Sequence, residues 1–190
     1  MIRIEDEAPA DVGAREALLD RAFGSARFRK TSERIRDGRL PAEGLSLVAR
    51  RDGRLVGTVR LWHVEAGDAG SALLLGPLAV EADLRGEGLG GRLMRRALNR
   101  AASLGHRAVL LVGDAPYYIR FGFSAVAASG LAMPGPFERH RLLGLELVPG
   151  ALAGAAGLIL PTGAPAPAET IAPAAGFPAL SALAKLRALP

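Results

Sequence analysis

The middle of the chain constrains the fold more than any other part, because two apolar runs flank a segment of helical periodicity. Residues 72–80 and 108–112 are almost continuously apolar, a pattern typical of strands that are buried on both faces. Between them, residues 88–104 place leucine, methionine and alanine at helical spacing, with arginines on the opposite side. A strand, a helix and a second strand in this order predict a parallel pair joined by a right-handed crossover.

Antiparallel strands are predicted on the N-terminal side of this unit. Residues 45–50 and 55–64 have the composition of strands, and Asp52–Gly53 between them is typical of a two-residue hairpin turn. Within the apolar run at 72–80, Gly76–Pro77 predicts a bulge or a kink, because proline has no N–H group to donate to the strand ladder.

Shorter elements are predicted towards both ends of the chain. Residues 2–4 indicate a first strand, and Asp11 is expected to cap a helix that runs to Phe23. A short helical or looped segment is expected at 115–121, and a late strand at 142–148. The predicted fold class is therefore mixed α/β, with a mostly antiparallel sheet, one parallel pair and flanking helices.

The composition excludes several classes of function. The chain has 190 residues and no cysteine, which excludes a disulfide scaffold, a thiolate metal site and a cysteine nucleophile. The three histidines are scattered without the spacing of metal ligands, so no metal is expected. No apolar run reaches the length of a membrane span, and the acidic N-terminus does not resemble a signal peptide. We therefore expect a cytoplasmic protein with no membrane partner.

The positive charge of the chain indicates an anionic partner. The net charge is +5, but aromatic residues make up only 5% and acids are interspersed with the bases, so nucleic acid is disfavoured. A phosphate-bearing small molecule fits the charge equally well. The most basic segment is 27–39. The favoured interpretation of this segment is a solvated helix face, and the alternative is a contact with an anion or a substrate.

A glycine-rich loop separates the apolar run ending at Val80 from the predicted helix. Residues 85–90 read Arg-Gly-Glu-Gly-Leu-Gly. Glycines permit positive φ angles and close approach to a ligand. Backbone N–H groups at a helix N-terminus, together with the helix dipole, hold phosphate oxygens. The loop therefore predicts a pyrophosphate-binding site.

Two kinds of nucleotide are considered for this loop. Gly86, Gly88 and Gly91 satisfy the dinucleotide pattern G-x-G-x-x-G, and Asp114 lies near the expected position of its ribose-binding acid. This interpretation ranks second, because residues 81–85 separate the strand from the glycines and only one crossover is visible. A phosphate loop of the Gly-Lys-Ser/Thr type is excluded, since that sequence does not follow.

The same loop resembles a known family. Residues 85–90 are similar to the R/Q-x-x-G-x-G/A signature of the GNAT superfamily of acetyl-CoA-dependent N-acetyltransferases. Leu75–Val80 lies where this family has the preceding strand, and Tyr117–Phe123 resembles the Y-x-x-x-G-F motif that follows the fifth strand. The resemblance covers residues 1–148 and implies a strongly bent sheet whose parallel pair splays around acetyl-CoA. Residues 149–190 resemble the extension of one bacterial subgroup of predicted acetyltransferases.

The extension has its own composition, rich in alanine and proline. It is expected to pack on the domain or to be partly irregular. A short terminal helix is expected at 177–189.

The resemblance implies roles for matching residues. Backbone groups of the strand would pair with the pantetheine arm, and backbone N–H groups of the loop would bind the pyrophosphate. The strand residues are Leu78, Ala79 and Val80, and the loop residues are Arg85, Gly86, Glu87, Gly88, Leu89 and Gly90. Tyr118 would lie near the thioether and donate a proton to the departing CoA thiolate, whereas Tyr117 is expected to pack.

A general base is expected as well. Amide formation needs a neutral amine, and a lysine-like amine has a pKa of about 10.4, so a base assists the reaction at neutral pH. Glu65 and Asp114, at two predicted strand ends, are the candidates, with His63 as a third. The absence of cysteine predicts direct transfer in a ternary complex.

The expected acceptor is a small-molecule or peptide amine, and a homodimer is left open. Two alternatives to an acetyltransferase are carried forward. One is a dinucleotide-binding oxidoreductase. The other is a non-catalytic acyl-CoA-binding module of the same fold.

Overall fold

The computed structural model describes residues 1–167, and the helix expected at 177–189 lies outside them. Within the described residues, four helices and eight strands carry the fold. In chain order these are β1 (Ile2–Asp6), α1 (Val12–Phe23), α2 (Thr31–Arg34), β2 (Ser46–Arg51), β3 (Arg54–Ala66), β4 (Ser71–Val80), α3 (Leu89–Ser103), β5 (Ala108–Val112), α4 (Ala115–Tyr118), β6 (Gly130–Ala132), β7 (Leu142–Glu146) and β8 (Ala156–Pro161).

One mixed sheet organises these elements. Six strands follow the order β1-β2-β3-β4-β5-β7, and β8 pairs with both β3 and β6. The β4–β5 and β6–β8 pairs are parallel, and the other pairs are antiparallel. The predicted mixed α/β class with a mostly antiparallel sheet is therefore confirmed.

The parallel pair β4–β5 splays. The two strands pair only at Leu73–Val109 and Leu74–Leu110. Past this point β4 continues to Val80 and β5 to Val112 without further pairing to each other. The carboxyl ends of the two strands therefore leave a gap in the sheet, which is where ligands bind in sheets with parallel strands.

A bulge shapes the edge of β4 that faces this gap. Val59 of β3 pairs with Leu78, whereas Leu61 pairs with Leu75. Two residues of β4, Gly76–Pro77, thus oppose the single residue Arg60, as the sequence predicted. The indole N–H of Trp62 donates a hydrogen bond to the carbonyl of Gly76 at 2.6 Å and anchors the bulge.

Helix α3 packs its apolar face on the sheet. The buried face consists of Leu89, Leu93, Met94, Ala97, Leu98 and Ala101. Burying a leucine fully contributes about 1.5–3 kcal/mol relative to leaving it exposed, so this face fixes the helix and the loop that precedes it. None of the helices within residues 1–167 has the length and apolarity needed to cross a membrane.

The start of α1 differs from the prediction. Asp11 occupies the N-cap position, but its backbone is already helical and its side chain makes no capping hydrogen bond. Its carboxylate instead accepts a hydrogen bond from the Ala8 N–H group at 2.9 Å and another from Arg50. The expected cap is therefore wrong, because a preceding 3-10 turn and β2 compete for the same carboxylate.

Two strands were not predicted. Strand β6 has only three residues, and β8 lies in the alanine- and glycine-rich region that begins the predicted extension. From β8 the chain continues beside the turn after α2. The Leu40 N–H group donates to Ala164 at 2.8 Å, and the Ala166 N–H group donates to Gly38 at 2.9 Å.

Candidate active site

A cavity of about 1110 Å³ opens between the parted ends of β4 and β5. Its floor is formed by Leu75–Val80 of β4 and by residues 112–114 at the end of β5. Two walls complete the cavity, and we call them the loop side and the α2 side. The loop side consists of Leu84, Arg85, Gly86, Gly88, Leu89, Gly90, Gly91, Arg95, Tyr117, Arg120 and Phe121. The α2 side consists of Ala22, Phe23, Arg27, residues 30–33, Arg36, Met133, residues 136–138 and Arg141.

Glycine is required in the loop by the backbone conformation. Gly86 and Gly88 have φ angles of 87° and 76°, values that residues other than glycine rarely adopt. A Cβ atom at either position would meet no atom within 4 Å. The left-handed backbone at Gly88 immediately precedes α3, whose first N–H groups have no partner within the helix. The loop therefore presents N–H groups and the positive end of the helix dipole to the cavity.

Not every loop N–H group is free. Those of Arg85 and Glu87 donate to Ala82 and Leu84 at 3.3 and 3.4 Å. The side chain of Glu87 does not line the cavity. The other predicted loop residues, and the three of β4, all line it.

Tyr117 lies against the loop. A Cβ atom on Gly90 would come within 2.9 Å of the Tyr117 hydroxyl. The ring packs edge-on against Tyr118, with centroids 4.9 Å apart, and the Arg120 guanidinium lies 4.7 Å above its centroid. Tyr117 thus packs, as expected, and also forms part of the loop side.

Tyr118 lies where the cavity meets the end of β5. Its ring covers Gly113 so closely that a Cβ atom there would lie 2.2 Å from Cε2. Burial, reinforced by Tyr117 and Asp114, raises the pKa of Tyr118 to about 12. The hydroxyl therefore remains protonated at neutral pH and can act as a proton donor.

Only one of the three candidate bases lines the cavity. Asp114 lines the cavity, and its Oδ1 lies 3.1 Å from Nη2 of Arg141. Glu65 and His63 do not line it. Because β3 runs antiparallel to β4, the carboxyl end of β3 lies beside the start of β4, opposite Ser71. The cavity is at the other end of β4, so the expectation that Glu65 or His63 reaches the site is wrong.

The structure also contradicts the expectation that the basic segment 27–39 is a solvated helix face. Arg27 and Arg36 are only 4% and 8% exposed, and both line the cavity. Arg29 and Arg34 are exposed, as a solvated face requires. The favoured interpretation is thus wrong for two of these arginines. Glu33 lies between the two buried arginines. Its Oε2 is 2.5 Å from Nη2 of Arg36, and its Oε1 is 3.6 Å from Nη1 of Arg27.

Sequence reasoning did not find Glu33 as a cavity residue. Its spacing of three residues from Arg36 indicates an ion pair on one helical turn. Nothing local shows that this turn faces a gap in the sheet. Within residues 1–167, no group of three or more His, Cys, Asp or Glu side chains could hold a metal ion.

Known proteins share this architecture. Residues 42–125 match a family model described as an acetyltransferase (GNAT) domain. The uncharacterized N-acetyltransferase YhbS of Escherichia coli K12 is 35% identical over 150 residues, which cover 75% of this chain and 87% of the relative. The uncharacterized N-acetyltransferase YjhQ of the same strain is 33% identical over 126 residues, covering 64% and 70%.

Two solved structures are similar to the fold. The crystal structure of E. coli YhbS in complex with CoA has a TM-score of 0.70 and 32% identity, covering 85% of this chain and 89% of that one. A GNAT family acetyltransferase from Brucella melitensis in complex with acetyl-CoA has a TM-score of 0.59 and 28% identity, covering 90% and 99%.

Proposed function

Because this chain belongs to the GNAT family of N-acetyltransferases, we propose that it transfers the acetyl group of acetyl-CoA directly to a primary amine. The observation that carries this proposal is the single cavity that joins the glycine loop to Tyr118 across the splayed end of β4. A phosphate-binding loop and a proton donor on one cavity are what transfer from a CoA thioester needs.

Acetyl-CoA would lie along the edge of β4. Past Leu74 this edge is not paired by β5, so backbone groups of Leu78–Val80 can bond to the pantetheine amides as a neighbouring strand would. The pyrophosphate would accept hydrogen bonds from Gly86, Gly88 and the first turn of α3. The N–H groups of Arg85 and Glu87 already have partners within the loop, so their contribution is smaller.

The chemistry requires two proton transfers. The amine nitrogen attacks the thioester carbonyl, the C–N bond forms, and the C–S bond breaks. The amine loses a proton to a base, and the departing thiolate gains one from Tyr118. Asp114 is the proposed base, since it alone of the three candidates lines the cavity. No cysteine exists to carry an acyl intermediate, and a burst of CoA release without amine would contradict direct transfer.

The sheet separates this proposal from one of its alternatives, and turnover separates it from the other. The sheet is mostly antiparallel, unlike that of a dinucleotide-binding fold, so the oxidoreductase interpretation is wrong. The non-catalytic acyl-CoA-binding module keeps the same cavity and differs only in lacking turnover with any amine.

Thermal unfolding with acetyl-CoA, CoA, NAD and NADP tests the cofactor. Ligand at about 100 times its dissociation constant adds about 2.7 kcal/mol, which for a chain of this size raises Tm by about 5–10 °C. We expect a rise with acetyl-CoA and CoA only. CoA release in the presence of an amine panel then tests transfer, and stabilisation without release would favour the non-catalytic module.

Replacement of Gly113 with alanine is expected to lower kcat about 100-fold, because the added Cβ would displace the Tyr118 ring, and small misplacements of catalytic groups cost about this much. Gly13→Ala is the matched control, since a Cβ there meets nothing within 4 Å. If the effect acts through Tyr118, adding Gly113→Ala to Tyr118→Phe should cost little more. Full additivity would contradict this reasoning.

A further inference from the structure

Arg36 is a buried cation whose donors are mostly unused. Arg36 lines the α2 side of the cavity, and its side chain is 7% exposed. Nη2 donates to Glu33 at 2.5 Å, whereas Nε has no hydrogen-bond partner within residues 1–167. Buried N–H groups without partners are costly, and arginine does not lose its proton in proteins. Glu33 therefore leaves N–H groups of this guanidinium for a further acceptor in the cavity.

The surroundings of Arg36 favour a negative acceptor. Glu33 is shared with Arg27, which lies 3.6 Å from it. Arg36 and Arg60 both lie against Trp62, at 6.0 and 5.7 Å from the ring centroid. Burial lowers the pKa of Arg36, and Glu33 only partly opposes this effect. A second anion would balance the charge that burial disfavours.

The position of Arg36 identifies the molecule that would carry this anion. A Cβ atom on Gly76 would lie 3.0 Å from Nη1, so the guanidinium lies beside the bulge. The chain runs from Gly76 through Val80 to the glycine loop, which places Arg36 and the phosphate site at opposite ends of this edge. An anion on Arg36 therefore belongs to the acceptor rather than to CoA.

We propose that the acceptor is an amino carboxylate, such as an amino acid, and that Arg36 binds its carboxylate through paired hydrogen bonds. This inference rests on the proposed acetyl transfer. A planar carboxylate matches the guanidinium fork, and its single charge fits a cation that already has Glu33 as partner. Apolar residues of the α2 side, Phe23, Met133 and Phe137, can contact the rest of the acceptor.

Matched pairs of substrates test this inference. CoA release would be measured with glycine and the L-amino acids that have a primary amine, and with the corresponding amides, which keep the amine and lose the α-carboxylate charge. The wild type is expected to acetylate one or more acids. Arg36→Gln should lower kcat/KM for those acids about 10- to 100-fold, mainly through KM, and leave the amides unchanged. Arg36→Lys, which keeps the charge without the fork, should be intermediate.

Arg34→Gln is the control, because Arg34 is an exposed arginine two residues from Arg36 that does not line the cavity. This variant should change kcat/KM neither for the acids nor for the amides. Equal losses for acids and amides in Arg36→Gln would overturn the inference, since Arg36 would then act on the reaction itself. Acetylation of amides or polyamines but of no acid would overturn it as well.

The proposed function can fail separately. If acetyl-CoA does not raise the Tm of the wild type, the cofactor assignment fails. If acetyl-CoA binds and other amines are acetylated but no amino carboxylate is, only the inference about Arg36 fails. Should Arg36→Gln not fold, the wild-type preference between acids and amides and the Arg36→Lys variant still decide the outcome.

Discussion

Replacement of Gly88 with valine is expected to abolish the stabilisation by acetyl-CoA while the chain still folds. Gly88 has a φ angle of 76° directly before α3, a conformation that costs a side chain about 1–2 kcal/mol. A branched residue would turn the backbone and move the loop N–H groups away from the pyrophosphate. Thermal unfolding with and without acetyl-CoA measures this, and the rise of about 5–10 °C expected for the wild type should disappear.

Gly105→Val is the matched control for Gly88→Val. Gly105 follows the other end of α3, has a φ angle of 83°, and its Cβ would also meet nothing within 4 Å. It does not line the cavity. Both variants should lose a similar amount of stability, and only Gly105→Val should still be stabilised by acetyl-CoA. Full stabilisation of Gly88→Val would show that the loop does not bind the pyrophosphate.

Replacement of Tyr118 with phenylalanine is expected to lower kcat by roughly 10²–10⁴-fold, the usual contribution of general acid catalysis. The ring and its packing remain, so acetyl-CoA should stabilise the variant as much as the wild type. Steady-state CoA release with an accepted amine measures kcat, and thermal unfolding measures binding. Unchanged turnover would show that Tyr118 packs in the cavity but does not act as the proton donor.

The pH dependence of the wild type gives a second readout for Tyr118. Because the pKa of Tyr118 is raised to about 12, its hydroxyl stays protonated where a tyrosine with an ordinary pKa of 10 would ionise. Turnover of the wild type should therefore rise as the amine loses its proton and not fall before about pH 11. The deficit of Tyr118→Phe should be constant between pH 7 and 10. A loss of wild-type activity near pH 10 that the variant lacks would contradict the raised pKa.

The central elements of the fold could be predicted because their patterns are local and strong. The apolar runs of β4 and β5 and the amphipathic face of α3 bury their residues wherever the rest of the chain lies. Strand β8 could not be predicted, since five of its six residues are not buried and its partners β3 and β6 are distant in sequence. Its pairing depends on the finished sheet rather than on periodicity.

Some residues of the candidate site could likewise be predicted from the sequence, and others could not. The glycine loop and Tyr118 belong to two short motifs, and the resemblance to the family implied that these motifs lie at one site. Glu65 was misplaced because the direction of β3 relative to β4 decides which strand end faces the cavity. The burial of Arg36 was not predicted, because the neighbouring helix α2 has only four residues, too few to show which arginines of the basic segment are buried.

The strand-like contact between residues 163–166 and the turn after α2 bears on how this enzyme changes over generations. The loop side of the cavity is built from one continuous part of the chain, residues 84–121. The α2 side is built from distant parts, and residues 38–40 beside it are held by Gly163, Ala164 and Ala166. Substitutions at residues 163–166 can therefore shift the turn after α2 without disturbing the loop. Such an arrangement lets a lineage exchange one acceptor for another while its use of the acyl donor is inherited intact.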